Sequence, residues 1–364
     1  MTVTFAEKLA RIPGYRAGVP TGHAPDSIAS AGIAQLASNE SPFPPHPKVI
    51  EAVAAAAGAM NRYPDPDATL LRRRIADRFE TEPGRVAVGN GSCELLLAAA
   101  EALCEPGAEI VYSWPSFSMY PYMAALTGAR EIRVPLDETE THDLDAMAAE
   151  VTAATQLVVI CNPNNPTGTY VPAAAVAAFC ERVPSHVTIV LDEAYIEFQA
   201  VDDPDSSIDL LDRFPNLVVL RTFSKCYGLA GLRVGYGIGS ASFRAAVDAV
   251  RQPFSVNALA QAAGAEAILH QDDVEARVTG TIAERLRVEE ALHELGLRTA
   301  ETQTNFSWID LDRAEEAELV AALGERRIAV RAGTPLGDPG HIRVSYGTAE
   351  ENDRLLAALG ELLD

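Results

Sequence analysis

Short apolar runs recur through the first two thirds of the chain, at 86–88, 109–112, 157–160, 186–191 and 217–220. Each is too short for a buried helix and reads as a strand. The later runs are continuous rather than alternating, which implies burial on both faces, as in a parallel sheet covered by helices. Between the runs, apolar residues fall at helical spacing and predict helices over 47–60, 68–79 and 92–103. Beyond about Pro253 the pattern changes. The stretches 251–269 and 272–295 are helical by period and length, while FSWIDL, IAVRAG and HIRVSYG read as short strands. Such interleaving suggests a smaller α+β lobe. The expected organisation is an α/β fold with an N-terminal arm and part of the small domain in 1–45, a large domain in 46–254 and a small C-terminal domain in 255–364.

Composition narrows the function. At 364 residues the chain is long enough for two domains, and its apolar and charged fractions are those of a soluble globular protein. A net charge of −22 argues against nucleic acid or an anionic membrane as a main partner. No run of about 18 apolar residues predicts a membrane helix, and the opening MTVTFAEKLARIPGYRAG lacks an apolar signal core. A cytoplasmic location is expected. Five scattered cysteines with no C-x-x-C pair read as reduced thiols, and the histidines show no metal-ligand spacing, so no metal site is expected.

Candidate chemistry centres on LRTFSKCYGLAGLRVGYGIG, residues 220–239. The chain has only three lysines, Lys8, Lys48 and Lys225, and leaves surface charge to arginine. Lys225 alone lies in a Gly-rich apolar segment. An amine suits Schiff-base chemistry, because lysine gives up its proton when desolvated and arginine does not; a chance surface lysine is the plain alternative. Thr222, Ser224 and Arg233 lie close by, and a guanidinium fork suits phosphate oxygens. An aldehyde cofactor carrying a phosphate would use all of these groups. The pattern S-K-x-x-G-L-A-G-L-R-x-G-Y resembles the lysine segment of pyridoxal-phosphate (PLP) enzymes, the fold-type I aminotransferases, and most of all the histidinol-phosphate aminotransferase family. The resemblance spans nearly the whole chain and implies a large domain with a mostly parallel central sheet flanked by helices.

Further motifs follow in order. At 89–92 two glycines turn the chain into a helix starting at Ser92, where free N–H groups and the helix dipole attract an anion; a simple strand-to-helix turn is the alternative. The resemblance places the cofactor phosphate there, at Gly91, Ser92 and Cys93. Asp192 ends a strand, where α/β proteins bind ligands, and a buried carboxylate needs a cationic partner; otherwise it caps a helix. The resemblance gives it the pyridine nitrogen, and gives Asn165 of N-P-N-N-P-T-G and Tyr195 the 3-oxygen of the ring. It also implies a cis Asn165–Pro166 bond and stacking of Phe117 on the ring, where core packing is the usual fate of a Phe. Tyr63 of R-Y-P-D would reach the phosphate of a neighbouring subunit, giving a homodimer with shared active sites. Tyr15, Asn39 and Glu40 are implied on the substrate side, with Arg343 on the substrate's anionic end and Arg331 flanking it as a further candidate. Gly235, Gly237 and Gly239 read as strand glycines and not as a dinucleotide fingerprint.

The implied catalytic set is Lys225, Asp192 and Tyr195, with Lys225 holding the cofactor and shuttling the substrate proton. The overall pattern points first to histidinol phosphate as amino donor and 2-oxoglutarate as acceptor, in histidine biosynthesis. An aromatic amino-acid aminotransferase is the first rival, favoured by Trp114 and Trp308 in their aromatic-rich segments; a threonine-phosphate decarboxylase is the second. A PLP-sensing regulator would need a DNA-binding domain for which neither length nor charge leaves room.

Overall fold

The computed structural model describes residues 3–14, 32–312 and 314–363. Its strands are β1 (Ala34–Gln35), β2 (Val86–Gly89), β3 (Glu109–Trp114), β4 (Arg130–Pro135), β5 (Thr155–Cys161), β6 (Thr188–Asp192), β7 (Leu217–Thr222), β8 (Gly235–Ile238), β9 (Arg298–Thr299), β10 (Phe306–Asp310), β11 (Ile328–Ala329), β12 (Arg331–Ala332) and β13 (His341–Ser345). The helices are α1 (Pro47–Ala57), α2 (Thr69–Arg78), α3 (Ser92–Leu103), α4 (Tyr120–Thr127), α5 (Leu144–Ala149), α6 (Ala173–Arg182), α7 (Ala241–Val250), α8 (Ala258–Ala267), α9 (Gln271–Glu294), α10 (Glu316–Glu325) and α11 (Ala349–Leu363).

Seven strands form the main sheet in the order β2-β8-β7-β6-β5-β3-β4. β8 runs antiparallel to both neighbours and all other adjacent pairs are parallel. Alternation along the strands builds two cores. Ile160, Ile189, Leu191, Leu217 and Val219 pack with Leu71 and Ile75 of α2 and Phe179 of α6. Val159, Val190, Val218 and Leu220 face the other way, onto Leu95 and Leu96 of α3, Tyr120 and Met123 of α4, and Val247 of α7. Both sheet faces are therefore covered, which explains the unbroken apolar runs.

A second unit holds a four-stranded sheet, β12-β13-β10-β9, with α10 and α11 against it. β1 joins it by pairing in parallel with β11, Ala34 opposite Ile328. The larger core reaches past residue 254, because Ala260, Ala263 and Ala267 of α8 belong to it. α9 serves both units. Val274 near its start lies in the larger core, and Val288 and Leu292 near its end lie in the smaller one. At 24 residues it is about 36 Å long, enough to span the two. Among the described residues no helix is long and apolar enough to cross a membrane.

Candidate active site

The C-terminal ends of β5, β6 and β7, the start of α3 and the loop after β7 surround a cavity of about 320 Å³. Lys225, Asp192, Tyr195, Asn165, Phe117, Ser92, Cys93, Thr222, Ser224 and Arg233 all line it, with Ser38, Glu40 and Cys161. The open end of parallel strands is where backbone groups and helix N-termini are left for a ligand.

Lys225 is half-buried, and its Nζ donates to the Ser38 carbonyl at 3.0 Å and lies 5.5 Å from the Tyr195 ring centre. Burial pulls its amine down to about 8, helped by the charges of Arg343 and Arg233 and opposed by Glu40 and Cys93. Asp192 is buried at the end of β6, and its Oδ2 accepts from the Tyr120 hydroxyl at 3.0 Å. Its Oδ1 is buried and has no hydrogen-bond partner among the described residues. Burial pushes the carboxyl up to about 6, the Tyr120 bond opposing and Glu193 adding to the rise. Such an oxygen calls for a donor, preferably a cationic one.

An anion cradle forms opposite. Gly91, at φ +79, caps α3 and turns Ser92 into its first helical position. A Cβ on Gly91 would sit 2.5 Å from Arg233 Nη2, so glycine is needed both for the turn and for the guanidinium. Arg233 itself adopts φ +58, rare for a side-chain-bearing residue. Its Nη1 donates to the Ala230 carbonyl at 3.2 Å and lies 3.5 Å from Ser224 Oγ. Thr222 Oγ1 donates to Ser224 Oγ at 3.0 Å and accepts from the Ser224 N–H at 3.1 Å, fixing that hydroxyl.

A polar chain runs behind the cavity. Asn39, at φ +54, donates from Nδ2 to the Tyr195 hydroxyl at 3.0 Å, and Asn165 Nδ2 approaches the same oxygen at 3.4 Å. Arg343 donates to Asn165 Oδ1 and, at 2.8 Å, to the Ala37 carbonyl. Asn39 is held in turn by Ser345 and Asn305. Asn39 and Arg343 thus stand one layer behind the cavity wall. Arg331 is buried opposite Arg343 in the β12–β13 register, and does not line the cavity. Tyr63 is 82% exposed and stacks on Phe254, away from the cavity of its own chain. Tyr15 lies outside the described residues.

The Asn165–Pro166 bond is cis, as expected, and so are Asn162–Pro163 and Trp114–Pro115. Trp114 packs under Arg133 and against Gly337, and Trp308 stacks on His341 at 4.8 Å. Neither lines the cavity, so the two tryptophans give no support to an aromatic donor. Sequence reasoning missed Tyr120 and Ser38. Tyr120 lies one helical turn after Phe117, at the first position of α4, but nothing local marks it as the partner of a carboxylate 72 residues away.

The comparisons with known proteins agree with this geometry. The family model for aminotransferases of class I and II matches residues 31–359. The chain is 47% identical to an aromatic amino acid aminotransferase of Thermobifida fusca over 353 residues, 96% of this chain and 94% of that one. It is 41% identical to a histidinol-phosphate aminotransferase of Geobacillus thermodenitrificans over 357 residues, 98% and 97% of the two chains. A histidinol-phosphate aminotransferase from Sinorhizobium meliloti, solved in complex with pyridoxal-5′-phosphate, superposes with a TM-score of 0.87 at 31% identity, covering 100% of this chain and 98% of that one. With its fold, its cavity and these relatives in accord, the chain belongs to the class I and II aminotransferases.

Proposed function

We propose that this protein is a PLP-dependent transaminase whose amino donor is an aromatic amino acid, with 2-oxoglutarate as acceptor. The observation that carries the cofactor is the meeting, in one cavity, of a lysine amine, a buried carboxylate oxygen with no partner among the described residues, and a cradle of Ser92, Ser224 and Arg233. These groups fit the aldehyde, the ring nitrogen and the phosphate of PLP in turn. When bound, the cofactor supplies an aldehyde carbon for an amine and a protonated ring that takes up an electron pair.

The protein's own groups do the rest. Asp192, whose Oδ1 is buried and unpartnered among the described residues, would hold the ring nitrogen and keep its proton in place. Tyr195 receives the Asn39 and Asn165 amides on its oxygen, so its own O–H is left to donate into the cavity. Phe117 provides an aromatic surface on one wall. Lys225 Nζ, with its lowered proton affinity, carries the proton that leaves the substrate α-carbon. Arg343, held one layer behind the cavity wall by Asn165 and the Ala37 carbonyl, is the guanidinium for the substrate's anionic group, and would meet it by giving up its bond to Asn165. Tyr63 enters the cavity of a second copy of the chain; its exposed ring, with Phe254 and Met60, forms an apolar patch suited to such an interface.

Aromatic and histidinol-phosphate donors both offer an amine, a flat ring and an anion. The more similar Thermobifida fusca protein supports the aromatic reading, which reverses the order expected from sequence alone. Histidinol phosphate stands second, supported by the Geobacillus and Sinorhizobium proteins. Stopped-flow mixing of the PLP-loaded protein with L-phenylalanine, and separately with L-histidinol phosphate, tests the choice. Faster loss of the visible band with phenylalanine is expected. Faster loss with histidinol phosphate would make that the donor, and no visible band would remove the cofactor.

A further inference from the structure

Directly behind the proposed cofactor site lies a second buried charge system that the mechanism does not use. Asp192 and Leu220 are paired in the β6–β7 register, and the Glu193 N–H continues that ladder to the Leu220 carbonyl at 2.8 Å. Successive residues point to opposite faces of a sheet. Asp192 points to the cavity, while Glu193 and Arg221 meet on the other face. Both are almost fully buried, at 1% and 2% exposure, and Arg221 Nε donates to Glu193 Oε2 at 2.9 Å. Arg221 also donates through Nη1 to Asp205 at 2.7 Å and through Nη2 to the Pro204 carbonyl, and it lies over the Phe79 ring at 5.2 Å. Asp205 is bonded in turn by Arg78, which is partly exposed, at 2.7 Å. Ion pairs therefore run unbroken from the surface to the residue beside Asp192.

We propose that Arg221 is a positioning residue for the Asp192 carboxylate, acting through the sheet by cancelling the Glu193 charge and holding the end of β6 against β7. The catalytic meaning of this role rests on the PLP reading, while its geometry does not. Two adjacent buried carboxylates would otherwise repel, and one would take up a proton. Asp192 must stay anionic to keep a ring proton in place. The titratable groups that act on it are Tyr120, Cys161, Cys93 and Tyr195 on its own side and Glu193 across the sheet, and none of these brings a positive charge. Arg221 faces Glu193, Asp205, Glu197 and Tyr236. Burial works against its charge, but these neighbours outweigh it and hold the guanidinium well above its ordinary range. One buried cation thus keeps the carboxylates behind the site from pressing a proton onto the one that faces the cavity.

Aspartate Cγ ¹³C NMR on the cofactor-free protein tests this, with the Asp192 signal assigned by its loss in Asp192→Asn. Glu193→Gln is expected to lower the Asp192 titration midpoint by about one pH unit, the size of a single charge at close range in a protein. Arg221→Met is expected to raise it by a similar amount, and Arg221→Lys to leave it near the parent value. In the PLP-loaded protein, Arg221→Met should lower kcat about tenfold with KM for the donor within about twofold, and Arg221→Lys should recover it. Should Arg221→Met fail to fold, Glu193→Gln decides alone. A midpoint unmoved by Glu193→Gln, or by a folded Arg221→Met, would reduce the pair to a structural staple and overturn the proposal. Because the titration is read without cofactor, that failure is distinct from failure of the PLP reading, which would appear as a missing visible band in the parent protein.

Discussion

At the scale of single residues the site is a set of groups held away from their ordinary protonation behaviour. Lys225 is drawn from 10.5 to about 8. Between those values the unfolded chain binds more protons than the folded one, so this residue makes stability rise with pH across that window. Urea unfolding of the cofactor-free protein at pH 8 and pH 10 should show a smaller rise, or a steeper fall, in Lys225→Ala than in the parent. Asp192 is shifted the opposite way, from 3.8 to about 6, so the folded chain binds more protons in that window and this residue's stabilisation is lost as pH rises through it. Asp192→Asn should remove that loss in the cofactor-free protein and cost the PLP-loaded protein at least 100-fold in kcat, of the order expected for a directly acting polar group. Much of this was legible in the sequence. A lysine spared from surface duty and a carboxylate ending an apolar strand are local signals. The Tyr120 contact, the Asn39–Tyr195 bond and the Arg343–Asn165 bond were not, because each joins residues far apart in the chain and depends on how the loops pack.

At the scale of elements, glycines in β8 set the distance between sheet and anion cradle. A Cβ on Gly235 would lie 2.5 Å from the Ser92 nitrogen, 2.9 Å from the Gly91 carbonyl carbon and 3.0 Å from the Arg221 carbonyl oxygen. All three are backbone atoms and cannot swing aside. Gly235→Ala should therefore displace the start of α3, lowering stability by about 1–3 kcal/mol and weakening PLP binding at least tenfold, measured by titrating the visible band of the reconstituted protein. The apolar runs announced β5, β6 and β7 because strands buried on both faces leave no polar alternation. The direction of β8 left no such mark, since its Gly-rich GYGI serves a strand running either way. The alanine-rich α8 was equally ambiguous. Its small residues suit close packing on any face, and only the fold shows them against α1 and α2.

At the scale of the whole molecule, the two units meet around the cavity: Asn165 comes from the loop after β5, Arg343 from β13, and their side chains bond directly. The apolar patch of Met60, Tyr63 and Phe254 lies outside that arrangement and is the surface that the proposed dimer would cover. Sedimentation equilibrium is expected to give a dimer at micromolar concentration, and Tyr63→Ala to weaken PLP retention without loss of the fold. A monomer that holds PLP fully would contradict the shared site. A change from regular to mixed patterning near Pro253 signalled the second unit, but its limits were not readable, because α9 contributes apolar residues to both cores.

The most direct test of the account is the covalent place of the cofactor. The PLP-loaded protein would be reduced with borohydride, digested, and its peptides weighed by mass spectrometry. A phosphopyridoxyl addition confined to Lys225, and absent in Lys225→Ala, is the predicted result. Addition at Lys8 or Lys48, or none at all with the visible band present, would contradict the assignment of Lys225 and the mechanism built on it.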